Sequence, residues 1–111
     1  MLKYPIKFEA VYHSWFDKFD VILPPTVSTT APAVGAQAPD GDFETVWNNV
    51  LGFAAFTPPM NVAGAASMSV PLHQSEDGMP LASMFSGRKG DDGLLLALAY
   101  ELEAARPWIG R

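Results

Sequence analysis

Apolar residues recur at helical spacing near the start of the chain. Phe8, Val11, Tyr12, Trp15 and Phe19 share one stripe, with Lys7, Glu9, Asp17 and Lys18 off it, which predicts an amphipathic helix. Pro5 fits a first turn, where a missing N–H costs nothing. His13 and Asp17 stand one helical turn apart and are expected to pair on its surface. Asp20-Val21-Ile22-Leu23 follows as a short, nearly continuous apolar run, stopped by Pro24-Pro25. Such a run predicts a buried strand with both faces apolar. Residues 26–42 carry Pro32, Pro39, many small residues and the turn-forming Pro39-Asp40-Gly41-Asp42. They predict a long loop, and loops of that length are usually functional or mobile. Helical spacing resumes over Phe43, Val46, Trp47, Val50 and Leu51, with Asp42 placed to cap it. Gly52 and Pro58-Pro59 break that pattern.

Residues 67–72 alternate polar and apolar, as a strand with two unlike faces does. Gln74-Ser75-Glu76-Asp77-Gly78 is a turn, and residues 80–87 are a second strand. The short connection predicts antiparallel pairing. Gly90-Asp91-Asp92-Gly93 opens a last helix, where an acidic pair suits both the free amides and the dipole. Arg106 lies at the other end and Pro107 closes the helix. Leu94, Leu95 and Leu96 are consecutive and span about 200° of circumference. A surface helix needs a stripe roughly half that wide, so this helix expects neighbours on more than one side. Each leucine fully buried is worth about 1.5–3 kcal/mol.

The length, 111 residues, suits one domain over residues 1–111. Nearly half the residues are apolar, enough for a core and against disorder. A domain this small still leaves much surface uncovered, so some of that apolar content can face a partner. The net charge is −5 and the basic residues are scattered, which excludes a nucleic-acid stripe. Without cysteine there are no disulfides, thiolate nucleophiles or cysteine-held metals. No apolar run approaches the roughly 20 residues of a membrane span. Met1-Leu2-Lys3-Tyr4-Pro5 does not lead into a signal-peptide core, so the expected location is cytoplasmic.

No residues suggest catalysis. His13 and His73 lack a second ligand within a turn, so no metal is expected. A serine nucleophile needs a base in reach and oxyanion donors. Ser67, Ser69, Ser75, Ser83 and Ser86 sit in no Gly-x-Ser-x-Gly elbow and read as polar strand and turn positions. Asp91-Asp92 reads as a helix start. Phosphate-loop and dinucleotide glycine patterns are absent, so no cofactor is expected.

Three patches, in order, carry a resemblance. The first is Phe16-Asp17-Lys18-Phe19-Asp20-Val21-Ile22-Leu23-Pro24-Pro25-Thr26. The second is Phe56-Thr57-Pro58-Pro59-Met60-Asn61-Val62-Ala63-Gly64. The third runs from Met68-Ser69-Val70-Pro71 through Gly78-Met79-Pro80 and Gly90-Asp91-Asp92 to Leu102-Glu103-Ala104-Ala105-Arg106-Pro107-Trp108. Together they resemble the carboxy-terminal part of the amidase signature family, serine hydrolases that cleave amide bonds. The resemblance implies an α/β fragment of that fold: helix, strand, long loop, short helix, β-hairpin, helix. It implies that the serine nucleophile, second serine and lysine of the family lie ahead of this segment. Lys3, Lys7, Lys18 and Lys89 match no catalytic position. The family's pocket-lining loops correspond to Pro25, Thr26, Phe56 and Asn61, and open sheets also place ligands at such strand ends. Ala65-Ala66-Ser67 and Leu81-Ala82-Ser83-Met84 depart from the family pattern, which bears on substrate class. The expected partner is the amino-terminal part of such an enzyme or a second copy of the chain. The alternative function is a non-catalytic, self-assembling domain with only ancestral relation to amidases.

Overall fold

The computed structural model describes residues 3–108. Helix α1 spans Lys3–Ser14 and tightens into a 3₁₀ turn over Trp15–Asp17. After the long loop come α2 (Phe43–Phe53) and α3 (Thr57–Ala63). The hairpin β1 (Ser67–Gln74) and β2 (Pro80–Ser86) precedes α4 (Asp92–Ala105).

The alternation in the hairpin sets its register. Ser67 pairs with Ser86, Met68 with Phe85, Ser69 with Met84 and Val70 with Ser83. A bulge between Val70 and His73 interrupts the ladder beside Pro71, which has no N–H to give. Ser75 closes the turn: its amide donates to the Met79 carbonyl at 2.9 Å, and its hydroxyl accepts from the Met79 amide at 3.0 Å.

The apolar run at 20–23 lies along β2 as a third, broken strand. Ile22 exchanges both backbone bonds with Ser86, at 2.8 and 2.9 Å. The Met84 amide donates to Pro24 O at 2.9 Å and the Thr26 amide to Ala82 O at 3.2 Å. Pro24 cannot return a bond to Met84, so the pairing survives only as bridges at Ile22–Ser86 and Pro25–Ser83. The expectation of a buried strand with two covered faces is corrected here. Val21 and Ile22 are half-buried, and Leu23 is 62% exposed.

Period-2 alternation puts the two cores on opposite faces of this sheet. On one face, Val70, Phe85 and Leu95 are buried, with Met68, Val21 and Leu98 packed round them. That places α4 against the hairpin. On the other side, Tyr12, Phe16 and Ala63 are buried with Phe8, Ile22 and Met60, which joins α1 to α3. Arg88 and Gly87 link the two halves. Gly87 is required by close approach: a Cβ there would lie 2.9 Å from Asp91 Cβ.

Helix α3 was not expected, because Pro58 and Pro59 read as breakers. They occupy the first turn, where no intrahelical donor is needed. Gly64, at φ +62°, ends the helix in the left-handed region that favours glycine. His13 does not pair with Asp17; its Nε2 lies 3.2 Å from the Ala63 carbonyl of α3. Asp42 caps α2 as expected, accepting from the Thr45 amide at 3.0 Å. Asp91 stands at the start of α4, but its carboxylate turns back to accept from the Arg88 amide at 2.8 Å.

Much of the surface is apolar and uncovered. The accessible area is 7873 Å², against about 6,000 Å² for a compact monomer of this mass. The radius of gyration is 16.3 Å, against about 13 Å for a compact domain. Helix α2 buries no residue: Phe43 and Trp47 stack at 6.0 Å on an open face. On α4, Leu96 and Tyr100 are exposed beside buried Leu95, so among the described residues the neighbours expected on more than one side of this helix are not present.

Candidate functional site

Pro25 and Thr26 stand where the broken strand leaves β2. Pro25 lies opposite Ser83 and lines an open hollow of about 310 Å³ with Val27, Thr29, His73 and Ala82. His73, which the sequence does not single out for function, comes to this hollow because the bulge in β1 carries the strand past Leu81. Thr26 turns to the other side of the sheet. Its hydroxyl meets that of Ser69 at 2.7 Å, and β2 runs between the two, since Thr26 bonds to Ala82 and Ser69 pairs with Met84.

The long loop then attaches to α2. Ser28 donates from its amide to Phe53 O at 3.1 Å, and its hydroxyl donates to the Gly52 carbonyl. Phe56 follows three residues later, half-buried, at the cap position of α3. Asn61 is exposed on α3, and its carbonyl accepts from the Gly64 amide at 3.2 Å. The four sequence-expected residues thus fall into two pairs. Pro25 and Thr26 border the sheet, Phe56 and Asn61 lie on α3, and only Pro25 lines the 310 Å³ hollow.

A second hydroxyl pair lies at the far end of the hairpin. Ser67 Oγ and fully buried Ser86 Oγ are 2.7 Å apart. Beside them the Tyr12 hydroxyl, also fully buried, donates to Gly87 O at 3.0 Å. Burial pushes the Tyr12 phenol above its ordinary value, the bond with Ser86 opposes this, and the Asp91 charge adds to it. The folded chain therefore holds the phenol proton to higher pH than the unfolded chain does. That stability is complete below about pH 10 and is lost as pH rises through the folded value. Alkaline unfolding should begin above about pH 10, and Tyr12→Phe should blunt it. A midpoint in urea that falls equally in both proteins would count against this.

These arrangements order backbone and bind polar groups. Among the described residues, no serine hydroxyl is hydrogen-bonded to a lysine or histidine, and no three His, Asp or Glu residues are grouped to hold a metal. No helix among them is long and apolar enough to cross a membrane.

The family model described as Amidase matches residues 3–96. The chain belongs to the amidase family. A protein of Mycobacterium tuberculosis (strain ATCC 25618 / H37Rv) named "Putative amidase AmiC" is 49% identical over 94 residues, covering 85% of this chain and 20% of that protein. A 6-aminohexanoate-cyclic-dimer hydrolase of Pseudomonas sp. (strain NK87) is 35% identical over 103 residues, covering 87% of this chain and 21% of the hydrolase. The fold agrees with the solved structure of a 6-aminohexanoate cyclic dimer hydrolase at a TM-score of 0.86. That match has 32% identity and covers 96% of this chain and 24% of the other. This amidase-family chain spans about a fifth of the length of the curated relatives it matches.

Proposed function

We propose that this chain supplies the carboxy-terminal portion of an amidase-type serine hydrolase. In this reading it completes the central sheet and one wall of the substrate pocket. The nucleophilic serine, second serine and lysine come from polypeptide that precedes this portion in the relatives. The carrying observation is the close match of nearly the whole chain to a quarter of one solved hydrolase. Two features support it. Apolar side chains stand open on several faces, as they do when a larger fold covers them. The hydroxyls of Ser14, Ser28, Ser67, Ser69, Ser75 and Ser86 bond to one another, to threonine, to Asp77 or to backbone carbonyls, and none of them bonds to a lysine or histidine. The complete reaction would be acyl transfer from an amide to water, with Pro25, Thr26, Phe56 and Asn61 shaping the acyl pocket and no metal or cofactor required.

The test is turnover by the chain alone on simple amides and aryl esters, read as ammonia or chromophore release. The expected rate equals that of a heat-treated control. Turnover clearly above it, removed by Ser67→Ala or Ser69→Ala, would sink the reading. In a complete enzyme carrying this segment, Phe56→Ala should change the ratio of kcat/KM between short and long acyl groups. An unchanged ratio would remove Phe56 from the pocket.

A further inference from the structure

Helix α2 faces its own chain with its polar side. Phe43, Trp47 and Leu51 recur every fourth residue and are exposed. The neighbouring stripe, Asn48 with Gly52 and Asn49 with Phe53, turns to the long loop instead. A helix that served only to pack would bury the aromatic stripe and expose the asparagines. Backbone bonds fix the contact. Ser28 donates from its amide to the Phe53 carbonyl at 3.1 Å, and from its hydroxyl to that of Gly52. Two consecutive turns follow in the loop: the Ala36 amide donates to the Ala33 carbonyl at 3.0 Å and the Ala38 amide to that of Gly35 at 3.1 Å. They bring Gln37 to the same side as the asparagines. Between loop and helix lies an open hollow of about 400 Å³, with Thr29, Gln37, Asn48, Asn49 and Phe53 on its walls. Thr29 also lines the 310 Å³ hollow at Pro25, so the two hollows adjoin there.

We infer that this hollow is a subsite for a neutral carboxamide that the substrate carries away from its scissile bond. The inference rests on the proposed function and adds what the pocket selects beyond Pro25. Each asparagine or glutamine side chain offers an NH₂ donor and a carbonyl acceptor, the complement of another amide. None of the three carboxamides is engaged by a described residue; the side-chain bonds of this region are made by Ser28 and by Asp42 with Thr45. Pro32 and Phe53 give apolar surface for the methylenes that lead to the group. Charged groups fit less well. Between Lys18 and Arg88 the sequence has no lysine or arginine, so this stretch supplies no cation to pair with a carboxylate, and desolvating one there has no return. The adjacent end of α2 is the negative end of its dipole, which also disfavours an anion. No carboxylate lines the hollow, so an ammonium group finds no counter-ion. A plain alkyl chain would displace water from the carboxamides and give them no partner.

Binding and turnover are read separately. The isolated chain, isotope-labelled for magnetic resonance, is titrated with hexanediamide and with hexanedioate. Hexanediamide should shift the side-chain amide signals of Gln37, Asn48 and Asn49 saturably and leave the Trp47 indole N–H in place, and hexanedioate should shift none of them. No saturable shift at Asn48 and Asn49, an equal response to the dianion, or a response at Trp47 alone overturns the inference. Turnover is measured in a single-polypeptide chimera, in which residues 3–96 replace the aligned segment of the Mycobacterium tuberculosis relative. Its substrates are the p-nitroanilides of hexanedioic acid monoamide and of heptanoic acid, which have equal chain length. The monoamide should have the higher kcat/KM. Asn48→Leu and Asn49→Leu, near-isosteric changes at exposed helix positions, should each lower the ratio of the two kcat/KM values at least about tenfold. Trp47→Ala, on the outward stripe, should leave that ratio unchanged. A ratio that neither leucine variant moves overturns the inference and assigns the asparagines to contacts with the rest of the polypeptide. Shifts in the isolated chain without turnover of either anilide by the chimera keep the subsite and sink the functional reading, whereas turnover of both without the preference does the reverse.

Discussion

Phe85→Ala should abolish the cooperative unfolding transition of the isolated chain. Phe85 is 8% exposed and lies in β2 among Val70 and Leu95, with Met68 as its cross-strand partner. Three elements meet at this ring: the hairpin, α4, and the broken strand whose Leu23 lies opposite. Truncating a buried phenylalanine costs about 3–5 kcal/mol. Natural domains hold about 5–15 kcal/mol in total. A chain this small, with two minor cores in place of one and a large apolar surface left open, belongs at the low end of that range. The loss therefore equals most of the margin. The expected result is a broad, shallow melt followed by circular dichroism, with the near-ultraviolet signal lost first. Trp47→Ala is the contrasting change. Trp47 is 51% exposed on a helix with no buried residue, so its removal should move stability by no more than about 0.5 kcal/mol. A Phe85→Ala protein that melts sharply within a few degrees of the parent would show that this cluster does not hold the sheet together.

The elements legible in the sequence are those whose determinants are local. The alternation at 67–72, the turn at Ser75–Gly78 and the acidic start of α4 are written in adjacent residues, and all three formed where expected. The Asp42 cap is likewise a contact over three residues. Helix α3 was hidden because proline has two meanings. In mid-helix it breaks the ladder, and in a first turn it costs nothing; only the fold decides which applies. His13 was misplaced for a related reason. Its partner is the carbonyl of Ala63, 50 residues away, whereas the sequence offers Asp17 one turn along. The leucine stripe of α4 carried information of another kind. It led to the expectation that more than one side is covered, and among the described residues the structure leaves Leu94 and Leu96 open.

Half of the candidate residues sit where the chain pattern alone puts them. Pro25 and Thr26 follow a strand end, a position the chain pattern shows, and the structure places Pro25 in a hollow there. The Thr26–Ser69 hydroxyl contact joins residues 43 apart, across a strand that comes later in the sequence than either. No periodicity reports such a contact. The pairing of His73 with the same hollow depends on a one-sided bulge, which alternation in β1 does not disclose before Val70. The family resemblance supplied Phe56 and Asn61. Their geometry, on a helix that packs with α1, does not by itself bring them to the Pro25 hollow.

Arg88→Met should loosen α1 from the rest of the chain and cost about 2–3 kcal/mol, chiefly by deleting a hydrogen bond from a charged donor. Arg88 lies two residues after β2 and sits where the two cores adjoin. Its guanidinium donates to the Phe16 carbonyl, within the 3₁₀ turn, and lies 5.3 Å from the centre of the Phe16 ring. A cation over an aromatic face adds about 0.5–1 kcal/mol at a partly open site. The ion pair with Asp91, at 3.7 Å and partly exposed, contributes little beside these. The backbone of Arg88 does separate work. Its amide donates to Asp91, and its carbonyl accepts from the Asp91 amide at 3.1 Å. These bonds survive in the methionine variant, so the turn into α4 should hold. Two probes separate the regions. With Trp47 and Trp108 replaced by phenylalanine, Trp15, beside the released carbonyl, reports α1 by fluorescence in urea, while far-ultraviolet dichroism reports the chain as a whole. In Arg88→Met the fluorescence transition should precede the dichroism transition, where the parent shows both together. Arg88→Lys keeps the charge but loses the planar fork that reaches carbonyl and ring at once, and should recover part of the loss. A methionine variant within about 0.5 kcal/mol of the parent, with coincident transitions, would mean that α1 is held by the Tyr12–Phe16–Ala63 packing alone.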